Sequence, residues 1–229
     1  MKSFAIGGVD FAVEKKKIKN MYVRVYPPDG HVAITAPRAV SDEEIRAFAA
    51  SRLPWIEKQR EKLARHPAPE AKTYVSGETH FFWGEHYRLE LRRGTRNDVA
   101  IEGGALILTM RGESTAAQRE KAMEAWYRAR LEEAIPAVLA RCENIVGVAA
   151  ASWRIRNMKS RWGSCTIPKR CICLNLQLVK KPPECLDYVV IHELVHLLER
   201  SHNAVFRAYM DRFYPAWRLV KGRLNVFNE

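Results

Sequence analysis

Val189-Val190-Ile191-His192-Glu193-Leu194-Val195-His196-Leu197-Leu198 sets two histidines four apart, with a glutamate directly after the first, in a run otherwise made of Val, Ile and Leu. Four helical residues advance about 400°, so His192 and His196 share one face, one turn apart. Two imidazoles so placed can grip a single Zn²⁺. Glu193 sits roughly 100° round the helix, where it can take a proton from a zinc-bound water without ligating the metal. A buried histidine is ordinarily a hydrogen-bonded core residue. Three polar residues in one apolar helix, however, cost several kcal/mol unless something compensates them, and a metal does.

A third ligand is expected from His202, ten residues after His192. Ser201-His202-Asn203 reads as a turn after the helix, so this ring can approach from another direction and leave a fourth position for water. The offset is that of H-E-x-x-H-x-x-G-x-x-H, but Glu199 stands at the glycine position, which argues against a metzincin proper. Glu199 lies three residues after His196, on the same face, and is the competing ligand; Asp211 is a more distant one.

Around this stretch the chain alternates short elements. Pro182-Pro183 starts the histidine helix. Cys171–Val179 reads as one strand before it, Trp153–Asn157 as another, and Met158–Cys165 as a loop. If the Cys171–Val179 strand is an edge, an extended peptide can pair with it beside the metal. After His202, Asn203 caps a helix with Phe206, Tyr209, Met210 and Phe213; Pro215 breaks it and starts a last helix with Trp217, Val220 and Leu224.

Upstream, Thr115 and Gln118 open a helix reaching about Val146, with Met123, Trp126, Tyr127, Leu131, Ile135 and Leu139 as its apolar face and an interruption expected at Pro136. Strands precede it: Thr79–Trp83 and His86–Leu91, then Asp98–Ile101 and Ala105–Thr109 about Gly103-Gly104. Nearer the N-terminus, Tyr22–Tyr26 and His31–Thr35 flank a Pro27-Pro28-Asp29-Gly30 turn. Ser41 and Glu44 form a capping box for a helical region to about His66, which Pro54 is expected to break or kink. Trp55 is expected in the core. His66–Ala71 reads as a loop. No sequence repeat, low-complexity segment or phosphate-cradling glycine loop is present.

Composition bounds the function. The 229 residues are 47% hydrophobic, ample for a core, and no run reaches the ~18 apolar residues of a membrane span. The N-terminus lacks a sustained apolar segment, so a cytoplasmic protein with no membrane partner is expected. The five cysteines (Cys142, Cys165, Cys171, Cys173, Cys185) are spaced unlike a zinc ribbon and read as reduced, small hydrophobes. His31, His66, His80 and His86 have no ligand spacing. The net charge of +12, from 38 basic and 26 acidic residues, attracts polyanions, so nucleic acid is a possible but not favoured partner.

Arg161-Trp162-Gly163-Ser164-Cys165, Leu174-Asn175-Leu176, Tyr188-Val189-Val190 and His192-Glu193-Leu194-Val195-His196, then Asn203 and Phe206, together resemble the YgjP-like metallopeptidases, which are similar to SprT-like and WLM zincins. The resemblance covers most of residues 150–225, more weakly the N-terminal strands. It implies zinc at His192, His196 and His202, with Glu193 catalytic. The expected fold is α+β: a strand-rich region over 1–112 with one helical segment, then a zincin-like domain over 113–229 containing the active-site helix.

The expected activity is zinc-dependent hydrolysis of a peptide or protein substrate, with Glu193 as general base. Arg161, Asn175 and Tyr188 are candidates for the oxyanion donor. Two rival readings are a nucleic-acid-associated protein with a structural zinc and a zinc amidohydrolase acting on small amides.

Overall fold

The computed structural model describes residues 2–26, 29–65 and 72–226 of this α+β chain. The expected turn at Pro27-Pro28 and the loop over His66–Ala71 lie outside them. Two compact units form, Met1–Ala71 and Lys72–Glu229.

The first unit is a four-stranded sheet with one helix. Strands β1 (Lys2–Ile6), β2 (Val9–Lys16), β3 (Tyr22–Tyr26) and β4 (His31–Pro37) lie in the order β1-β2-β4-β3, with β2 and β4 parallel and the other pairs antiparallel. Helix α1 (Asp42–Arg65) begins at the expected box: Ser41 N donates to Glu44 Oε2 at 2.8 Å, and Glu44 N to Ser41 Oγ at 3.2 Å. Ile45, Ala49 and Ile56 of α1 are buried in one core with Phe11, Val32 and Ile34 of the sheet. The helix runs through Pro54 without a break. Pro54 and Ala50, whose carbonyl loses its partner, are both exposed, so water satisfies that group. The cost of about 3 kcal/mol is outweighed by the buried side chains on the opposite face, each contributing roughly 1.5–3 kcal/mol. Trp55, expected in the core, is 43% exposed, because it follows Pro54 onto the outer face.

The second unit repeats the plan. Strands β5 (Thr79–Phe82), β6 (Glu85–Gly94), β7 (Asp98–Glu102) and β8 (Ala105–Arg111) lie in the order β5-β6-β8-β7, again with the inner pair parallel. A capped helix follows, α2 (Ala116–Val146), whose Thr115–Gln118 capping box is complete. The order of elements is thus duplicated where the sequence shows no repeat. Helix α2 is unbroken by Pro136, which is exposed, while Leu131, Ile135 and Cys142 are buried. Gly147 closes it in the left-handed conformation at φ 78°, its N–H donating to Glu143 O.

After α2 comes a three-stranded sheet in the order β10-β11-β9: β9 (Ser152–Arg156), β10 (Gly163–Thr166) and β11 (Cys171–Asn175). Two expectations change here. Gly163–Thr166, expected within a loop, is a strand antiparallel to β11. The strand expected over Cys171–Val179 ends at Asn175, where a short 3₁₀ helix, Leu176–Lys180, begins because the Asn175 side chain accepts Gln177 N. Helix α3 (Pro183–Val195) follows with Pro183 at its first position; α4 (Ala204–Phe213) and α5 (Trp217–Val226) complete the chain. Leu131 of α2, Ile172 of β11, Val190 and Leu194 of α3, Met210 of α4 and Val220 of α5 share one buried core.

Glu78 fixes the entry to β5. Burial alone would raise its carboxyl, but the Thr73 hydroxyl and the backbone N–H groups of Thr73, Tyr74 and Val75 outweigh this and bring it down to about 2. A depressed folded-state value contributes stability that is present above pH 4.5 and lost as pH falls toward 2. With screening at a partly exposed site, about 1–2 kcal/mol is expected. Denaturant melts from pH 7 to pH 2 therefore show a steeper acid loss in the native protein than in Glu78→Gln; parallel curves contradict the assignment.

Candidate active site

The site is assembled by α3 and the turn that leaves it. Helix α3 is apolar on nearly every side and correspondingly buried, and its polar residues find their partners on other elements: Asp187 pairs with Arg141 and Glu184 with Arg223. His192 lies in its last turn, and His196 follows immediately after Val195 with helical backbone angles. The chain then reverses: Leu198 N and Glu199 N both donate to Val195 O, and Asn203 N to Ser201 O. Asn203 Oδ1 accepts Phe206 N at 3.0 Å, opening α4. This reversal carries His202 back over the helix end.

The three imidazoles converge. One ligand atom from each of His192, His196 and His202 lies within 4.8 Å of the others. Nε2 of His202 is 2.9 Å from Nε2 of His192. His196 Nδ1 faces Glu199 O at 3.2 Å, which assigns the proton to Nδ1 and leaves the lone pair of Nε2 free to bind a metal. Phe206 packs against all three rings, with centroids at 4.9, 4.8 and 4.7 Å, and holds their spacing. Burial, with His196, His202 and Lys221 nearby, pushes His192 down to about 3, so its ring is neutral and its lone pair available.

The other candidate ligands are engaged elsewhere. Glu199 accepts Ser201 N through its carboxylate at 2.9 Å. Asp211 accepts Trp217 Nε1 at 2.7 Å and Arg218. The cysteines are free, and among the described residues the histidine trio is the one cluster of His, Cys, Asp and Glu that converges this way.

Glu193 is 4% exposed and points toward β10. Its Oε2 has no hydrogen-bond partner, and burial raises its carboxyl to about 8, with Arg161 pulling the other way. A divalent cation at the histidines fits this chemistry: it would take the imidazole lone pairs and supply positive charge beside a buried carboxylate. Gly163 makes room for the carboxylate. A Cβ there would stand 2.5 Å from Glu193 Oε1 and 2.8 Å from Val189 Cγ1.

Among the three oxyanion candidates, Asn175 is committed to structure: its amide donates to Met158 O and Arg161 O, both at 2.8 Å, and its carbonyl accepts Met158 N. Arg161 and Tyr188 line the cleft with the histidines, Glu193 and β10. Tyr188 also packs edge-on to His192, at 5.9 Å between ring centroids. Strand β11 is paired on both sides, so the expected edge beside the site is β10 instead. Gly163 and Phe206 stand in the motifs that carry the resemblance, but no local pattern assigned them a role; Arg200 and Lys221, which reach the cleft only through tertiary folding, had no signal at all.

Such a centre, set between an edge strand and a histidine-bearing helix, falls in the class of metallopeptidase domains. More narrowly, the profile described as "YgjP-like, metallopeptidase domain" matches residues 19–227, and the chain belongs to that family. Among solved structures, the metallopeptidase zymogen of Pyrococcus abyssi abylysin is similar at 22% identity and a TM-score of 0.38, over 40% of this chain and 92% of that one. The metallopeptidase zymogen of Methanocaldococcus jannaschii jannalysin is similar at 18% identity and a TM-score of 0.36, over 40% and 94%. No curated protein matches. No helix among the described residues is long and apolar enough to cross a membrane.

Proposed function

We propose that the protein is a zinc-dependent peptidase that hydrolyses peptide bonds in the cleft between α3 and β10, with Glu193 as general base. The observation that carries this reading is the convergence of three imidazole nitrogens in the same cleft as a buried carboxylate, one of whose oxygens has no partner. His192, His196 and His202 would hold the metal. Bound zinc supplies a Lewis acid that lowers the pKa of a water from about 15.7 toward about 7 and polarises a carbonyl.

The chain's own groups do the rest. The free backbone edge of β10 pairs with an extended peptide and lays it across the cleft. Glu193 takes the proton of the attacking water and passes it to the leaving amine. Tyr188, whose hydroxyl burial raises to about 12, stays protonated and donates to the developing oxyanion, with Arg161 as the cation on the same wall. The free thiols support a reducing, cytoplasmic setting.

Purified protein is expected to hold one zinc per chain by elemental analysis and to cleave members of a diverse peptide library. Chelation stops cleavage, added zinc restores it, and His192→Ala protein prepared alongside is inert. Full activity without metal, or bound zinc with no peptide cleaved, overturns the proposal.

A further inference from the structure

The cleft, of about 500 Å³, is lined by three cations, Arg161, Arg200 and Lys221, and by a single acid, the buried Glu193. They come from separate parts of the chain: the segment before β10, the turn after α3, and α5. All three are exposed, and none forms an ion pair with a described residue. Their neighbours behave differently. On α5, Arg218 is paired with Asp211 and Arg223 with Glu184 at 3.1 Å, while Lys221 between them lies in the cleft lining.

Unpaired cations left in a concave site, where field lines are focused, are placed to receive negative charge from a ligand. The apolar parts of the same lining, Trp162, Ile167 and Leu224, suit side chains rather than a continuous polyphosphate backbone, and the β10 edge suits a peptide main chain. We infer that the cleft selects peptides carrying carboxylates close to the scissile bond, received by Arg161, Arg200 and Lys221. The inference rests on the peptidase reading for the substrate's polymer class; the charge preference is separately measurable as binding.

The carboxylates have two possible sources, Asp or Glu side chains and a free C-terminus. The test uses labelled peptides of one core sequence flanked by Glu, Gln or Lys, each made with a free or amidated C-terminus. Binding to zinc-loaded Glu193→Gln protein is read by fluorescence anisotropy, and kcat/KM by cleavage with the native protein. An exposed charge pair contributes a factor of roughly 1.5 to 5, so three give about a tenfold preference for the Glu peptide over the Lys peptide. That preference shrinks as salt is raised. It falls to within about twofold in Lys221→Gln/Arg200→Gln.

Preference that follows the Glu flanks assigns the cations to side-chain carboxylates; preference that follows only the free C-terminus assigns them to a terminal one. Equal binding of Glu and Lys peptides overturns the inference, as does displacement of the Glu peptide by an oligonucleotide of the same net charge at lower concentration. If no peptide is cleaved but the Glu peptide still binds preferentially, hydrolysis is wrong and the cleft assignment stands. If all peptides are cleaved and bound alike, the reverse holds.

Discussion

Glu193→Gln is expected to lower kcat by about 10³-fold while the protein stays folded and keeps one metal per chain. A positioned general base contributes roughly 10²–10⁴-fold, and the amide removes that proton acceptor with almost no change of shape. The substitution leaves the three imidazoles and the Phe206 ring that spaces them untouched. It also removes a strained charge. The native carboxyl is 4% exposed with an unpartnered Oε2, and its surroundings raise it to about 8, so they favour a neutral group there. The melting temperature of the variant is therefore expected to equal or exceed that of the native protein, as when a residue is kept for chemistry at some expense of stability. Rates, elemental analysis and thermal melts on the two proteins check the three parts together. Activity within tenfold of native would place the base elsewhere.

What the sequence disclosed, and what it hid, follows the range of the interactions. Local patterns were readable. The Ser41–Glu44 and Thr115–Gln118 boxes bond within one turn, and the Asn203 cap needs only Phe206 N. The histidine helix was readable for the same reason, its spacing being a property of a single element. The third histidine was harder, because its position depends on the reversal between Val195 and Asn203. Glu199 and Asp211 compete with it on spacing alone, and the hydrogen bonds that occupy them, to Ser201 and Trp217, could not be read from the sequence.

Other features depend on residues far away in the chain. Strand β10 is four small or polar residues with no alternation, and only its pairing with β11 makes it a strand. The prolines of α1 and α2 forecast breaks because the sequence could not say that both would face water. The shared order of the two four-stranded sheets is invisible in residue identity, since topology constrains which faces are apolar and not which side chains make them so. Composition changes from strands to helices near residue 112, whereas the compact units divide at Ala71, because the β5–β8 sheet shares its core with α2 and α3.

Gly163 was visible in the sequence as part of a motif while its role was not, and replacing it with alanine is expected to cost about 10²-fold in kcat/KM. Nothing in its backbone demands glycine; its φ is not among the positive ones. The requirement is space. The added methyl would sit 2.5 Å from Glu193 Oε1 and 2.9 Å from Glu193 Cγ, where 3.4 Å is an ordinary contact. The carboxylate must then retreat by about 0.9 Å, and a catalytic group misplaced by about 1 Å can lose 10²-fold. Val189 Cγ1, at 2.8 Å on the same helix, meets the same methyl, so β10 and α3 are pushed apart at the point where the base is held. Metal content is expected to stay at one per chain, because the three atoms nearest this Cβ position belong to Glu193 and Val189 and not to a histidine. A pH profile separates the causes: a displaced base changes the limb on which Glu193 ionises, while a general loss of folding lowers all rates together. Gly163→Ala protein with native kcat/KM would mean that the carboxylate held against β10 is not the one that moves the proton.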